Sequence, residues 1–287
     1  MSSGTDVSIA VSGTGERSER VVRKAARAPG RRFGGSDSTQ ERALTFLSPI
    51  IFLALWEVAA RTGLIDQRFF PAPSAVFQQF WTLMTQDGGL RHDIYVTLRR
   101  VGIGFLVGAI PAMVIGLGMG FIRPLRLFVD PVISMLYPIP KSAIMPLLLL
   151  IFGFGEASKW VLVAIGVFFP VVLNCMAGVI GINKIYVDVA NNYGASRLQY
   201  LRLVAFPGAL PLILSGLRLG LGMGLILVAV AEIVGAQDGL GYLIQHSWEL
   251  FSVETMYVGL FLLGLIGIIT SLGLRELERK LVPWANP

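Results

Sequence analysis

Charge, cysteine and histidine are all scarce in this sequence. Of its 287 residues, 15% are charged and 54% are hydrophobic, and the chain holds one cysteine and two histidines. An average soluble domain has about 25% charged residues, so the composition argues against an ordinary soluble globule. With Cys175 as its one cysteine, the chain has neither a disulfide framework nor a cysteine-based metal motif.

Patterns typical of enzymes are also missing. The sequence contains no GxxxxGK[ST] phosphate-binding loop, no HExxH metal motif and no GxSxG nucleophile motif, and His92 and His246 lie far apart. An enzyme is therefore a weak interpretation. The glycine-rich run at 116–120 lies inside an apolar stretch without a βαβ unit, so it predicts close helix packing instead of a dinucleotide loop. The same prediction holds for four glycines of the fifth apolar run: Gly216, Gly220, Gly222 and Gly224.

Long apolar runs are abundant instead. A stretch of about 20 apolar residues spans the ~30 Å hydrocarbon core of a bilayer. Since irregular backbone at membrane depth is tolerated only inside protein or beside a water-filled cavity, the proline-rich part of the third run, 131–146, is a candidate part of a translocation pathway. Its prolines, which break or kink a helix, are Pro131, Pro138, Pro140 and Pro146. The six predicted transmembrane helices lie at about 43–60, 95–121, 125–152, 158–180, 210–234 and 255–275.

Residues 1–42 form a basic tail rich in serine, glycine and arginine. They contain no apolar run, so we expect them to be disordered. The first apolar run also starts too late for a secretory signal peptide. The run from Arg17 to Arg32 has two interpretations: it binds anionic lipid headgroups, or it is a solvated tail that keeps the N-terminus inside the cell.

The distribution of lysine and arginine predicts the orientation in the membrane. With the N-terminus inside, sixteen of the 24 cations fall on the cytoplasmic side or in the tails, and six fall on the other side. Both termini are then cytoplasmic, and 281–287 is a short C-terminal tail. Residues 61–94 lie outside although they carry three arginines, and their aromatic residues suggest a helix in the membrane interface.

A polar segment, 188–207, separates the fourth and fifth apolar runs. Its apolar residues recur at roughly helical spacing between polar ones, which is typical of a short amphipathic helix interrupted at Gly194. Such a helix rests on the membrane surface or lies across a groove of a partner protein, and periodicity alone does not choose between them. The apolar residues are Val189, Tyr193, Leu198, Leu201 and Val204.

The same segment resembles a known signature. Asp188-Val-Ala190 followed by Gly194, Val204 and Phe206-Pro207 is similar to the EAA motif of permease subunits of binding-protein-dependent ABC importers. That motif reads Glu-Ala-Ala, three residues, Gly, nine residues, Ile, one residue and Leu-Pro. Other stretches, across about residues 44–280, resemble the nitrate, sulfonate and taurine-type branch. They are Phe70-Pro-Ala-Pro-Ser74, Pro138-Ile-Pro-Lys-Ser-Ala143, Phe152-Gly-Phe-Gly155, Ser215-Gly-Leu-Arg218, Ala231-Glu-Ile-Val-Gly-Ala236 and Gly239-Leu-Gly-Tyr242.

The resemblance implies an all-α, polytopic permease of the type I importer kind. Its transmembrane domain would cover 43–280, and its coupling segment, 185–207, would dock on a cytoplasmic ATPase subunit. The chain would be no enzyme and have no cofactor of its own, because the partner ATPase uses ATP and Mg²⁺. The implied partners are a second permease copy, two ATPase subunits, an extracytoplasmic solute-binding protein and the bacterial inner membrane, without nucleic acid. The implied coupling residues are Asp188, Val189, Ala190, Tyr193, Gly194, Ala195, Ser196, Arg197 and Pro207.

The function that follows is ATP-driven import of a small anionic solute such as a sulfonate, taurine or nitrate. Because an unpaired charge inside a span is costly, Lys141 either attracts the anion, forms a salt bridge to Glu232 or snorkels to the interface. We expect Arg218 to reach the cytoplasmic headgroups. The candidate pathway residues are Tyr137, Pro138, Pro140, Lys141, Met145 and Glu232.

Two other functions are weighed against this one. An ion-coupled secondary transporter would use intramembrane carboxylates and internal repeats, and the sequence offers little beyond Glu232. A membrane-embedded enzyme is disfavoured by the missing motifs. An ATPase chain that co-purifies through 188–207 would favour the importer, whereas ion-driven transport by this chain alone would favour the secondary transporter.

Overall fold

The computed structural model of the protein describes residues 38–85 and 89–285. In these residues the regular structure is helical, which confirms the predicted all-α fold. Of the tail predicted for 1–42, residues 1–37 lie outside the described part. The α-helices are α1 (Ser38–Arg61), α2 (Pro73–Thr85), α3 (Gly89–Phe121), α4 (Arg123–Leu136), α5 (Met145–Phe152), α6 (Glu156–Ile180), α7 (Lys184–Asn192), α8 (Arg197–Tyr200), α9 (Phe206–Gly235), α10 (Leu240–Glu249) and α11 (Val253–Leu281). Shorter helical turns are the 3₁₀ turns Lys141–Ile144 and Pro283–Ala285 and the π-helical turn Leu201–Ala205.

The chain divides into two units, with the boundary between Ile50 and Ile51. In the first unit, the described residues are 38–50, the first half of α1. The second unit contains the end of α1 and all the other helices. The sites discussed below lie within this second unit.

Among the residues described, four helical stretches are long and apolar enough to cross a bilayer. They are α3, α6, the continuous stretch Leu198–Gly235 that contains α9, and α11. A fifth crossing is available to α4 together with Lys141–Phe152, which are bent by 85° against each other. The predicted break of the third apolar run is therefore present, and it falls where prolines remove backbone donors. The remaining predicted span, 43–60, falls within α1, which is not among these candidates, so this crossing stays a prediction.

The core of the second unit is built by close contact of α3, α6 and α9. α3 and α6 run parallel, since Gly108 of α3 faces Ala164 and Gly120 faces Val179. A Cβ at Gly108 would lie 2.4 Å from the carbonyl oxygen of Ala164, so the two backbones approach this closely only because the side chain is absent. The close packing predicted for the glycines of 116–120 is confirmed.

α9 packs antiparallel on α6. Gly224 faces Val163 in the first half of α6, and Gly216 faces Asn174 in its second half. A Cβ at Gly216 would lie 2.7 Å from the Cβ of Asn174. The packing predicted for the α9 glycines is confirmed at Gly216, Gly220 and Gly224 and is wrong at Gly222, which has nothing within 4 Å of its Cβ position.

These directions give the α3–α6–α9 core two ends. At one end, the first residues of α3 and α6 meet the last residues of α9 around Arg100. We call it the Arg100 end. At the other end, α7 and α8 link the last turn of α6 to the start of α9, and Gly194 lies in the turn between α7 and α8. We call it the Gly194 end.

The helix predicted within residues 61–94 is α2. One side of it packs on α11, where Val76 shares a buried apolar cluster with Val258 and the Gln79 side-chain amide donates a hydrogen bond to Thr255 Oγ1 at 3.0 Å. Phe77 and Trp81 stay exposed. α2 is thus half packed against protein and half exposed, as expected for an interfacial helix.

Candidate functional site

The segment between α6 and α9 turns at Gly194. It starts with α7, whose first turn is capped because Asn183 Oδ1 accepts a hydrogen bond from Ile185 N at 3.0 Å. Gly194 has φ of +66°, a conformation that suits glycine, and Ala195 N then bonds to Ala190 O at 2.9 Å. Nothing lies within 4 Å of a Cβ built at Gly194. Glycine is therefore required by the backbone conformation and not by lack of space.

A reciprocal cap begins α8. Ser196 N donates to Gln199 Oε1 at 2.8 Å, and Gln199 N donates to Ser196 Oγ at 3.3 Å. This is a capping box, in which two side chains three residues apart satisfy each other's backbone donors. The Ser-x-x-Gln spacing at 196–199 is its sequence signal, and it adds Gln199 to the residues predicted for this segment.

The residues predicted for ATPase coupling meet at the Gly194 end. Asp188 is exposed, Tyr193 is 88% exposed, Ala190 is buried, and Pro207 lies in the first turn of α9. Exposed apolar side chains on a polar segment are typical of a surface that contacts another protein or the membrane. We call this set the coupling surface: Ile185, Tyr186, Val189, Tyr193 and Leu198.

The bend between α4 and α5 borders a cavity of about 420 Å³. Lys141 Nζ donates to the carbonyl oxygens of Leu136 at 3.2 Å and Ile139 at 2.9 Å, and also to that of Tyr137. It lies 4.4 Å from the ring centre of Phe169. The end of a helix leaves carbonyl oxygens without partners, so Lys141 stabilises the bend and places a positive charge in the cavity wall. The wall includes Tyr137, Pro140, Lys141, Ser142, Phe169 and Met223.

The structure separates the residues predicted for the pathway. Tyr137, Pro140 and Lys141 border the cavity, and Pro138 is exposed at the bend. Met145 is buried in an apolar cluster with Leu148, Leu162, Leu227 and Ala231. Glu232 lies at the Arg100 end, where it pairs with Arg100. The alternative of a salt bridge between Lys141 and Glu232 is therefore wrong.

Arg100 is a buried cation at the centre of an ion network whose other members are one buried and two partly exposed carboxylates. Its side chain is 2% exposed, and its guanidinium bonds to carboxylates from three places: Glu156 of α6 at 2.6 Å, Glu232 of α9 at 3.1 Å and Asp238 after α9 at 2.5 Å. The Asp238 carbonyl oxygen accepts a further bond at 2.8 Å. Glu232 is fully buried and also accepts a hydrogen bond from Thr97 Oγ1 at 2.9 Å. Through these charge-assisted hydrogen bonds, the Arg100 guanidinium joins α3 to α6 and α9.

The same network caps α10. Gly239, the residue before this helix, has no side chain to cap it, and the first backbone N–H groups bond instead to side chains of α3 and α9. Helix N-termini favour carboxylates and hydroxyls as such partners. The bonds are Gly239 N to Asp93 Oδ1 at 2.7 Å, Leu240 N to Thr97 Oγ1 at 2.9 Å and Gly241 N to Glu232 Oε2 at 2.8 Å.

A cavity of about 490 Å³ lies beside Arg100 and Lys159. Lys159 is 2% exposed, and its Nζ donates to the carbonyl oxygens of Phe154 and Gly155 at 2.7 and 3.0 Å. Burial alone would raise the pKa of Asp238. The hydrogen bonds and charge of Arg100 outweigh burial and hold that pKa below its usual range.

Sequence reasoning missed the pairing of Arg100 with Glu232. The two residues are 132 positions apart, so no local spacing connects them. The available signal was that each places a charge in an apolar span and therefore needs a partner. A second pairing was also missed: Arg218 of α9 bonds to Glu278 of α11, so the prediction that it reaches lipid headgroups is wrong.

Comparison with known proteins identifies the family. Residues 104–283 match the binding-protein-dependent transport system inner membrane component family. The chain belongs to this family. It is therefore a multi-pass permease subunit of an ABC transporter in the inner membrane, and the resemblance carried by the segment 188–207 is confirmed.

Individual relatives agree with this assignment. The taurine transport system permease protein TauC of Escherichia coli K12 is 34% identical over 238 residues, which cover 82% of this chain and 86% of that protein. The putative aliphatic sulfonates transport permease protein SsuC of Bacillus subtilis 168 is 34% identical over 240 residues, covering 84% and 87%. Neither gives support to an ion-coupled secondary transporter.

A solved structure shares the fold. The inward-facing MetNI methionine ABC transporter is similar with a TM-score of 0.56, at 21% sequence identity, over 70% of this chain and 96% of that one. The permease therefore has the fold of an ABC importer subunit, as its sequence predicted.

Proposed function

We propose that the permease forms the translocation pathway for a small anionic solute of the sulfonate class and is driven by separate ATPase subunits. The observation that carries this proposal is the coupling surface, an exposed apolar set built around the turn at Gly194. In this proposal the ATPase subunits bind ATP and Mg²⁺, while this chain supplies neither catalysis nor a cofactor.

The coupling surface is connected directly to a membrane span. From Leu198 the helix continues to Gly235 as one stretch of 38 residues, which is about 57 Å at 1.5 Å per residue. Motion imposed on α8 by an ATPase therefore reaches α9 without crossing a flexible loop, and α9 carries Glu232 of the Arg100 network at its far end. Nucleotide then acts by favouring one of two permease states that the ATPase dimer binds with different affinity.

The sulfonate class is supported by two observations. The relatives described above are named for taurine and aliphatic sulfonates. In this chain, Lys141 places a positive charge in the wall of a cavity of about 420 Å³, together with the hydroxyl-bearing Tyr137 and Ser142. A cation and hydroxyl donors are the groups that bind an anionic headgroup.

The remaining assembly follows from the same proposal. The Gly194 end and both termini face the cytoplasm, and the Arg100 end faces outward, in accordance with the distribution of lysine and arginine. Two copies of the permease associate with two ATPase subunits and receive solute from an extracytoplasmic binding protein.

Reconstitution tests the proposal. The permease is co-expressed with the ATPase of its transport system, purified and placed in liposomes that contain ATP, and uptake of labelled taurine is measured with the binding protein outside. We expect ATP-dependent uptake, and we expect a variant with residues 188–207 in scrambled order to lose the ATPase during purification. Uptake driven by an ion gradient without any ATPase would contradict the proposal.

A further inference from the structure

The turn between α10 and α11 has an unusual residue at its corner. Phe251 has φ of +56°, and it is the one non-glycine residue with positive φ in the described part of the chain. This backbone region is unfavourable for a bulky L-residue. Its ring is 87% exposed, so no packing within the described chain offsets the unfavourable conformation.

Backbone hydrogen bonds fix Phe251 in this conformation. Phe251 N bonds to Trp248 O at 3.1 Å, and Ser252 N bonds to Ser247 O at 2.9 Å. This pair of bonds is the Schellman motif that ends many helices, and glycine is the usual residue at the corner. Phenylalanine thus stands where glycine would fit without strain, which points to a role for its ring outside this chain.

Phe251 is the tip of an exposed apolar corner. Trp248 is 62% exposed and Leu250 is 64% exposed. We call these three residues the Phe251 corner. Two exposed carboxylates, Glu249 and Glu254, flank it. Because carboxylates are costly in hydrocarbon, the corner lies outside the apolar core of the bilayer.

The chain segment that contains the Phe251 corner has carboxylates and no permanently charged basic side chain. Residues 235–254 contain Asp238, Glu249 and Glu254 but no lysine or arginine. Anionic lipid headgroups attract cationic segments, so this composition does not favour a lipid surface. An apolar tip with an acidic rim instead fits a protein pocket that is apolar inside and basic at its edge.

The Phe251 corner is also supported rigidly. The corner lies at the C-terminal end of α10. The N-terminal turn of the same helix is fixed by hydrogen bonds to Asp93, Thr97 and Glu232. Ser252 Oγ and Thr255 Oγ1 lie 2.9 Å apart on the far side of the turn. A prearranged anchor binds with little loss of conformational freedom, and contact at this corner would act on the Arg100 network through α10.

We propose that the Phe251 corner is the docking point for the extracytoplasmic solute-binding protein, with the Phe251 ring entering an apolar pocket edged by basic residues. This inference rests on the proposed function, since it requires the Arg100 end to face outward. It adds to that function the surface that recognises the binding protein and a route from this surface to α3 and α9.

The test measures how the binding protein stimulates ATP hydrolysis by the reconstituted complex. Phe251→Gly removes the ring and suits the positive φ, so the thermal stability of the complex should stay unchanged or rise. We expect the concentration of binding protein that gives half-maximal stimulation to rise at least about tenfold, with ATP hydrolysis in its absence unchanged. Phe251→Tyr should stay within about twofold of the wild type. As a control, Phe128→Ala removes a ring that is 78% exposed on α4 and should change nothing.

An unchanged half-maximal concentration in Phe251→Gly overturns the inference. The same holds if Phe251→Gly instead weakens association of the two permease copies or the binding of the purified complex to vesicles, because the ring would then belong to a dimer contact or to lipid. Failure of the proposed function looks different. In that case the wild-type complex takes up no taurine with ATP and no ATPase co-purifies, and the basis of this inference is lost with it.

Discussion

Arg100 and Glu232 form a buried ion pair between α3 and α9, with 3.1 Å between Nη1 and Oε1. Each carries a charge that would be costly if unpaired at this depth. Glu156 and Asp238 complete the surroundings of the guanidinium. The network around Arg100 therefore holds together α3, α6 and α9, which we expect the coupling surface to move from the opposite end.

Removing one partner of this pair should be strongly destabilising. Arg100→Met leaves Glu232 buried without a counter-charge, and we expect a loss of about 3–5 kcal/mol in stability. Thermal unfolding of the detergent-purified protein measures it. The double variant Arg100→Met/Glu232→Gln should lose less than the two single variants combined.

Arg99 is the matched control for Arg100. Its side chain is 41% exposed and bonds to Glu156 at 3.1 Å. Exposed ion pairs contribute about 0–1 kcal/mol, so Arg99→Met should stay close to the wild type. Equal losses from Arg99→Met and Arg100→Met would contradict the central role given to Arg100.

The contact between α3 and α6 should not tolerate even a methyl group at Gly108. A Cβ there would lie 2.4 Å from Ala164 O and 2.8 Å from its Cα, and backbone atoms cannot move aside cheaply. We expect Gly108→Ala to lose about 1–3 kcal/mol. Gly102→Ala lies in the same helix with nothing within 4 Å and should be neutral or stabilising by up to about 1 kcal/mol. Similar melting temperatures for the two variants would refute this account.

Gly194 should be needed for ATPase binding and not for folding of the spans. Any L-residue with a Cβ is disfavoured at its φ of +66° by about 1–2 kcal/mol, so Gly194→Ala should reshape the coupling surface. We expect less ATPase to co-purify while the permease keeps its melting temperature. Gly194→Asn should retain more ATPase, because asparagine tolerates this conformation. Gly222→Ala, in open space on α9, is the control, and a loss of ATPase there would count against the interpretation.

Lys141 should affect transport through its charge. Lys141→Gln removes the cation from the wall of the cavity, and we expect the KM for taurine uptake to rise several-fold while the complex still assembles. Lys141→Arg should retain more activity because it keeps the charge. Lys280→Gln, on the exposed end of α11, controls for a general change in charge. If Lys141→Gln instead leaves uptake normal and lowers only the melting temperature, Lys141 serves to stabilise the bend.

Much of the architecture was readable from the sequence because membrane solvation acts locally along the chain. Apolar runs predicted the five possible crossings found among the described residues, and prolines predicted the break that the structure places between α4 and α5 with an 85° bend. The segment 188–207 gave the family, which the match over residues 104–283 confirmed. Glycine spacing predicted close helix packing but not which glycines lie at the contact. Gly222, for example, has no neighbouring helix within 4 Å of its Cβ position.

The sequence by itself determined the membrane class, the break in the third span and the position of the polar segment 188–207, because each depends on composition or spacing within a short stretch. Only the tertiary structure decided that Glu232 pairs with Arg100 instead of Lys141, that Arg218 bonds to Glu278, and that α10 is capped by side chains of α3 and α9. Charges within apolar spans must find partners, and folding selects those partners from residues far apart in the chain.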